Sequence, residues 1–154
     1  MRNLYVIDTC CLIAFFDSIF RYAPDYDGSA ELSPKTKTII NQAIISETTD
    51  IRLSVPSVVF IEIYEKWLRT EEFSKVFFYE VYSVLKQSVN IEIKPIDREV
   101  LENLIAIDGI LKSHDLHDKI VLASAIALES PLITTDTDVI DYVSEHKVIP
   151  AILN

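Results

Sequence analysis

Apolar residues along the chain occur in two patterns, as short continuous runs and as longer segments in which they recur every three or four positions. The short runs predict β-strands, whereas the recurrence every three or four positions predicts helices. The predicted strands cover residues 4–7, 51–55, 90–94, 132–134 and 147–149. The predicted helices cover residues 11–20, 34–49, 57–69, 72–88, 98–107, 116–128 and 138–145, with a break at Gly109 and Ser113. Because the two kinds of element alternate, we expect an α/β fold with a mostly parallel sheet of about five strands covered by helices.

Length and hydropathy narrow the class of protein further. The 154 residues suit one ordinary domain, so we expect residues 1–154 to form a single domain. The most apolar stretch, residues 4–16, is shorter than the ~20 apolar residues that a membrane helix needs. Asp8 interrupts this stretch and would lie within the apolar region of any signal peptide. We therefore expect a cytoplasmic protein with no membrane association.

Charge and cysteine content argue against two common classes of site. The formal net charge is −10, whereas proteins that bind nucleic acids usually carry a basic surface. Cys10 and Cys11 are the two cysteines of the chain, and neighbouring cysteines have poor geometry for a mutual disulfide. Two thiols are also too few for a structural zinc site of the usual cysteine-rich kind.

Several carboxylates follow predicted strands directly or lie in helices that follow them. Asp8 ends the first strand, and Asp136 and Asp138 follow the fourth. Because ligands of parallel α/β sheets bind beyond the carboxyl ends of the strands, we expect these side chains to meet there. Glu62 lies in an almost entirely apolar helical segment, and Asp118 begins a packed, alanine-rich helix.

Each of these carboxylates also has a local structural explanation. Glu62 has the favourable order for an i, i+4 ion pair with Lys66, which is worth about 0.5 kcal/mol. The other four could each contribute to the N-terminal cap of the helix that follows. They are Asp8, Asp118 in a reciprocal cap with Asp115, Asp136 and Asp138.

A cluster of these carboxylates would need a counter-charge. Four carboxylates brought together without one would repel each other strongly. Oxygen ligands that no set of histidines or cysteines accompanies favour Mg²⁺ or Mn²⁺ over zinc. The sequence therefore predicts a divalent-cation site at the carboxyl ends of the strands.

Four segments together resemble the PIN-domain nucleases, most closely the VapC-like toxin ribonucleases of bacterial and archaeal toxin–antitoxin operons. Residues 5–13 are similar to the first strand and the Asp-Thr/Ser turn of that family, and residues 55–62 to the segment that carries its glutamate. Residues 116–125 resemble the aspartate that begins an alanine-rich helix, and residues 132–138 resemble the strand that ends in Thr-x-Asp. The order and spacing of all four segments match over nearly the whole chain.

The resemblance implies a three-layer α/β/α sandwich, a site that uses Mg²⁺ or Mn²⁺, and hydrolytic cleavage of RNA. It also implies an assembly that is often a homodimer held by an antitoxin. The candidate catalytic and metal-binding residues are then Asp8, Glu62, Asp118 and Asp136. The candidate supporting residues are Thr9, Thr134 and Asp138. The chain departs from the family pattern in its acidity and in an expanded segment over residues 19–49.

Three other functions are possible for such a chain. A haloacid-dehalogenase-like phosphatase needs a second aspartate two positions after the first, where this chain has Cys10. A phospho-receiver domain needs a paired acidic turn after the first strand and a lysine late in the sheet, where this chain has Asp136. A catalytically weak PIN fold that only binds a partner protein would explain the acidity.

Overall fold

The structure is a computed structural model that describes residues 3–24, 26–28, 30–107 and 115–154. Five strands are formed: β1 (Leu4–Ile7), β2 (Arg52–Pro56), β3 (Ile91–Lys94), β4 (Leu132–Ile133) and β5 (Ile152–Leu153). The helices that precede β3 are α1 (Thr9–Phe15), α2 (Asp17–Phe20), α3 (Pro34–Ile45), α4 (Ser57–Lys66), α5 (Glu71–Phe77) and α6 (Ser83–Gln87). Those that follow it are α7 (Arg98–Ala106), α8 (Leu116–Ala127) and α9 (Thr137–His146). The predicted break at Gly109 and Ser113 lies outside the described residues.

All strand pairs of the sheet are parallel, in the order β3-β2-β1-β4-β5. Helices cover both faces, so the predicted α/β/α sandwich with five strands is confirmed. β1 lies at the centre, paired with β2 through Tyr5 and Leu53 and with β4 through Ile7 and Ile133. The carboxyl ends of β1 and β4 are therefore adjacent, and the residues that follow them emerge side by side.

Helix α8 anchors one face of the sheet. Its residues from Ile120 to Ala125 are all buried, and it contacts α4, α7, β1 and β2. Ala123 and Ala125 are small enough to let this helix approach its neighbours closely. The first turn of α8 is consequently fixed relative to β1.

The last strand was predicted in the wrong place. β5 is Ile152–Leu153 rather than residues 147–149. Helix α9 continues to His146 and ends at Lys147 in the left-handed conformation, with φ of 52°. The residues between α9 and β5 reverse the direction of the chain. The chain then pairs with β4 through backbone hydrogen bonds, such as the one that Leu132 N–H donates to the Ala151 carbonyl.

The predicted helix over residues 72–88 contains a π-helical turn, Phe78–Tyr82, between α5 and α6. Its buried side chains are spaced four residues apart: Phe73, Phe77, Val81 and Leu85. A regular α-helix has 3.6 residues per turn, so such a stripe would rotate by about 40° at each step. The wider π turn offsets this rotation and keeps the stripe facing the core.

The predicted helix over residues 11–20 is also divided. α1 ends at Phe15 because Phe16 leaves the helical conformation, and α2 begins at Asp17. Within the described residues, no helix combines the length and the apolar composition that crossing a membrane requires.

Candidate active site

Asp8 lies between β1 and α1 and uses each carboxylate oxygen separately. Its Oδ1 accepts a hydrogen bond from the backbone N–H of Cys11 at 2.9 Å and so caps α1. Its Oδ2 accepts a hydrogen bond from the hydroxyl of Thr134, at the end of β4. The side chain is buried, and this burial raises its pKa from 3.8 to about 6, with a further increase from the charge of Asp136. Asp8 therefore resists ionisation in the absence of a counter-charge.

Thr134 connects the carboxylates of the two neighbouring strands. Its hydroxyl oxygen donates to Asp8 and accepts the backbone N–H of Asp136 at 3.1 Å. Asp136 caps α9 by accepting from the backbone N–H groups of Asp138 at 2.9 Å and Val139 at 3.2 Å. Asp138 is exposed in the first turn of α9. The caps predicted for Asp8 and Asp136 are therefore present, and both residues still point toward the same region.

Asp118 lies in the first turn of α8 and is partly buried. Its pKa is raised from 3.8 to about 6, first by burial and then by the charges of Glu62, Asp136, Asp115 and Asp8. The charges of the other three predicted site carboxylates thus all act on Asp118. One half of the predicted reciprocal cap is formed, because the Asp115 side chain caps α8 by accepting a hydrogen bond from the backbone N–H of His117 at 3.0 Å.

Glu62 is buried on the apolar face of α4, beside Val59 and Ile63. The predicted ion pair is formed, with Lys66 Nζ at 2.5 Å from Glu62 Oε2. Lys66 Nζ also lies 3.7 Å from Asp115 Oδ2, and so it bridges α4 and the start of α8.

Sequence reasoning missed the involvement of Asp115 and His117. One ligand atom from each of Glu62, Asp115 and His117 lies within 4.8 Å of the others, so these three residues could hold a metal ion. His117 Nδ1 is 2.6 Å from Asp115 Oδ1, and His117 Nε2 is 3.4 Å from Glu65 Oε2. One histidine therefore lies beside a predicted site carboxylate, although no set of histidines or cysteines was predicted there. The available signal was the run from 115 to 118, which places three metal-ligating side chains in four residues.

Two solved structures are similar to the chain over nearly its full length. VapBC2 from Rickettsia felis, bound to a DNA fragment from its promoter, is 11% identical, with a TM-score of 0.59 and 96% of each chain covered. FitAcB from Neisseria gonorrhoeae is 16% identical, with a TM-score of 0.59, 97% of this chain and 96% of that one covered. The fold is PIN-like. No family model matches the sequence, and no curated protein matches it either, so the similarity established here is one of fold.

Within this PIN-like fold, a small cavity is lined by the ends of β1 and β4 and by the start of α8. Its polar lining consists of Asp8, Asp118, Thr134 and Asp136. A second cavity, of about 460 Å³, lies at the opposite end of the sheet, where β1, β2 and β3 begin. There Arg52 donates to Asn90 at 2.8 Å and Asp50 accepts from Asn3 at 2.6 Å. The carboxylates whose pKa is raised, Asp8 and Asp118, both line the small cavity at the carboxyl ends of the strands.

The residues at the carboxyl ends of the strands suit a hard divalent cation. Among the described residues, three buried side-chain oxygens have no hydrogen-bond partner, and two of them, Glu62 Oε1 and Thr9 Oγ1, belong to predicted site residues, whereas the third is Ser54 Oγ. A buried oxygen without a partner is costly, and a cation would satisfy it. Carboxylate oxygens are the ligands that Mg²⁺ and Mn²⁺ prefer. The raised pKa values of Asp8 and Asp118 support the same conclusion, because burial and the charges of neighbouring carboxylates disfavour ionisation of both side chains.

Cys10 is beside the carboxylates but is not a suitable ligand. Cys10 is exposed, yet partial desolvation of its thiol raises the pKa to about 12, and the charges of Asp8, Glu62 and Asp118 contribute to this increase. A thiol with such a pKa stays protonated near neutral pH, whereas the thiolate is the form that binds metals. Both Cys10 and Cys11 are free.

Proposed function

We propose that the chain is a metal-dependent endoribonuclease that hydrolyses RNA phosphodiester bonds, and that it is the toxin of a toxin–antitoxin pair. The observation that carries this proposal is that Asp8, Asp118 and Asp136 line one cavity at the carboxyl ends of β1 and β4, and that the charge of Glu62 also raises the pKa of Asp118. Structural proteins pair buried carboxylates with cations or neutralise them. A group that raises the pKa of its own members is better suited to bind an external cation.

In this proposal Asp8, Asp118 and Asp136 hold Mg²⁺ or Mn²⁺, and Glu62 is either a further ligand or the base that orients a water molecule. The bound cation would activate water and neutralise charge on the phosphate oxygens. Thr134 supports two of these ligands through its bonds to the Asp8 side chain and the Asp136 backbone. Thr9 has a buried hydroxyl without a partner among the described residues, and Asp138 would contribute through water.

The protein groups fix the carboxylates before any substrate arrives. Asp8 is held by the Cys11 N–H and the Thr134 hydroxyl, and Asp118 is held by the buried helix α8. Ligands positioned by helix caps and packed helices need little reorganisation when a cation binds. This rigidity suits hydrolysis, which requires an in-line approach of water to the phosphorus atom.

RNA is the proposed substrate, and an antitoxin protein is the proposed partner of a homodimer. VapBC2 and FitAcB are among the solved structures that share the fold, which supports a toxin of the VapC kind. Lys66, Arg69 and Lys119 lie in or directly after the helices that carry the site, and we propose them as the cationic residues that contact RNA phosphates. The net charge of −10 limits binding of RNA elsewhere on the surface.

That same net charge favours one alternative, a PIN-like module that binds a partner protein and has little catalytic activity. The phospho-receiver alternative has less support. Asp8 is 8% exposed, and both of its oxygens already accept hydrogen bonds. A phosphate-accepting aspartate needs an accessible oxygen for attack on the phosphorus atom.

The function is tested by incubating the purified protein with total RNA, with and without Mn²⁺, and mapping the cleaved ends. We expect cleavage that requires Mn²⁺. The Asp8→Asn variant should lower the cleavage rate by on the order of 10²–10³-fold, since one electrostatic group that acts on the transition state is lost. Asparagine still caps a helix, so the fold should be retained.

Asp97→Asn is the matched control, because Asp97 also follows a strand and caps a helix. It should cleave RNA at the rate of the unmodified protein. Metal-dependent cleavage that survives in Asp8→Asn would contradict the site assignment. Absence of cleavage and of Mn²⁺ binding in the unmodified protein would favour the partner-binding module.

A further inference from the structure

Lys66 is positioned differently from an ordinary surface lysine of a helix. Its Nζ is 2.5 Å from Glu62 Oε2 and 3.7 Å from Asp115 Oδ2, so one ammonium contacts carboxylates of two separate helices. The lysine side chain is 45% exposed, whereas the Glu62 side chain is 5% exposed. The carboxylate is therefore fixed in the core, and the ammonium can leave it for solvent.

The ammonium also occupies the region where a cation would bind. Glu62 and Asp115 belong to the three residues whose ligand atoms lie within 4.8 Å of one another. A divalent cation binds a carboxylate oxygen at about 2.0–2.6 Å. At such a distance from Glu62 the cation would lie within a few ångströms of the Lys66 ammonium, and the two positive charges would repel each other.

We propose that Lys66 is a tethered counter-cation of the metal-free site, and that a divalent cation must displace it from Glu62. This inference rests on the proposed function, since it assumes that the site binds a divalent cation. In the metal-free protein the ammonium partly neutralises the buried Glu62. When the cation binds, the flexible lysine side chain turns outward and the carboxylate stays in place. Lys66 is thus a positioning residue that sets the metal affinity of the site.

A second Glu–Lys pair on the next helix provides a matched comparison. Glu71 and Lys75 of α5 have the same i, i+4 spacing, with Lys75 Nζ at 3.3 Å from Glu71 Oε1. Both side chains are well exposed, at 84% for Glu71 and 68% for Lys75. Exposed pairs of this kind contribute little to stability and are screened by salt. Removing Lys75 therefore controls for the loss of one positive charge from the protein.

The test is titration of the full chain with Mn²⁺ by isothermal calorimetry at about 0.15 M salt, where exposed charges more than ~8 Å apart are largely screened. Four proteins are compared: the unmodified chain and the variants Lys66→Gln, Lys66→Arg and Lys75→Gln. Lys66→Gln should bind Mn²⁺ about tenfold more tightly, because the competing charge is gone and Glu62 is available, and this change corresponds to ~1.4 kcal/mol. Lys66→Arg and Lys75→Gln should bind Mn²⁺ as the unmodified chain does.

Thermal unfolding gives a second readout that a merely structural lysine would not produce. Lys66→Gln should lower the melting temperature of the metal-free protein, since Glu62 then stays buried without a positive partner. With saturating Mn²⁺ the difference from the unmodified chain should vanish, because Lys66 is already displaced there. An equal loss with and without Mn²⁺ would overturn the proposal.

The outcomes separate this inference from the proposed function. If the unmodified chain binds Mn²⁺ and Lys66→Gln binds it equally or more weakly, the displacement of Lys66 is wrong while the metal site stands. If the unmodified chain and Lys66→Gln both fail to bind Mn²⁺, the proposed function itself is contradicted, and the inference is overturned with it.

Discussion

Two strand-to-helix junctions of the same sheet have nearly identical caps and opposite electrostatics. At the first, Asp8 follows β1 and caps α1 through its Oδ1, which accepts from Cys11 N–H at 2.9 Å. At the second, Asp97 follows β3 and caps α7 through its Oδ1, which accepts from Val100 N–H at 3.0 Å. In each case the second oxygen has a different kind of partner. Asp97 Oδ2 receives the ammonium of Lys94 at 2.7 Å, whereas Asp8 Oδ2 receives the neutral Thr134 hydroxyl.

This difference reverses the direction of the pKa shift. The hydrogen bond from Lys94, followed by the cap, lowers the pKa of Asp97 below 3.8. Burial raises the pKa of Asp8 to about 6 despite its hydrogen bonds. A cap together with a lysine accounts fully for the charge of Asp97. The same cap leaves most of the charge of Asp8 uncompensated, and only such a carboxylate is available for an external cation.

The largest expected difference between the Asp8 and Asp97 junctions is in the pH dependence of the stability of the metal-free protein. Because the pKa of Asp8 is raised in the folded state, its favourable contribution is fully present below 3.8 and is lost as the pH rises through about 6. The difference between 3.8 and about 6 corresponds to roughly 3 kcal/mol for this buried group. Asp8→Asn should therefore match the unmodified protein near pH 4 and exceed its free energy of unfolding by up to roughly 3 kcal/mol at pH 7.

Urea unfolding with EDTA from pH 4 to pH 7 measures this difference. Asp97→Asn is the control with the opposite sign. Since the pKa of Asp97 is lowered in the folded state, its contribution is present above 3.8 and disappears as the pH falls below that value. Asp97→Asn should thus be less stable than the unmodified protein at pH 7. An Asp8→Asn variant that is also less stable at pH 7 would show that its charge is already compensated.

The sequence could not distinguish these two junctions. Asp8 and Asp97 each follow a strand and precede a helix, and each of them caps that helix. The difference lies in the partner of Oδ2. For Asp97 this partner is Lys94, three residues earlier in the chain, whereas for Asp8 it is the distant Thr134. Capping and cation binding had been weighed as alternatives, yet they use different oxygens of one carboxylate and are compatible.

What the sequence predicted well depends on local pattern, and what it missed depends on tertiary geometry. The order of strands and helices follows from hydrophobic periodicity, which is a local property. The predicted position of β5 was wrong because α9 ends at Lys147, which adopts the left-handed conformation. This conformation is usually signalled by glycine, so nothing in the local sequence indicated that the helix ends there. Asp115 and His117 are neighbours in sequence, but their place beside Glu62 depends on how α4 and α8 pack, which the spacing along one helix does not reveal.

An intermediate effect, on RNA cleavage, is expected from removing the Thr134 hydroxyl, which is the partner of Asp8 Oδ2. Thr134→Val removes the hydroxyl that donates to Asp8 and accepts from the Asp136 backbone, while it keeps the shape of the side chain. We expect RNA cleavage at saturating Mn²⁺ to fall by about 10–100-fold, the loss typical of removing a group that orients metal ligands. The corresponding change at the other junction, Lys94→Met, should leave cleavage unchanged. Initial rates on one RNA substrate measure both, and a Thr134→Val variant with an unaltered rate would remove Thr134 from the site.

The smallest effect concerns the Asp97 junction, where the carboxylate has a purely structural role. Asp97→Ala should lower the free energy of unfolding through loss of the cap, and Asp97→Asn should lower it less because asparagine still caps α7. Cleavage of RNA should not change in either variant, since Lys94 and the start of α7 carry no proposed site residue. Urea unfolding at pH 7 and cleavage rates on the same preparations check both expectations. A loss of cleavage in Asp97→Ala with the fold intact would mean that the two junctions share a function, and the charge compensated by Lys94 would then need another explanation.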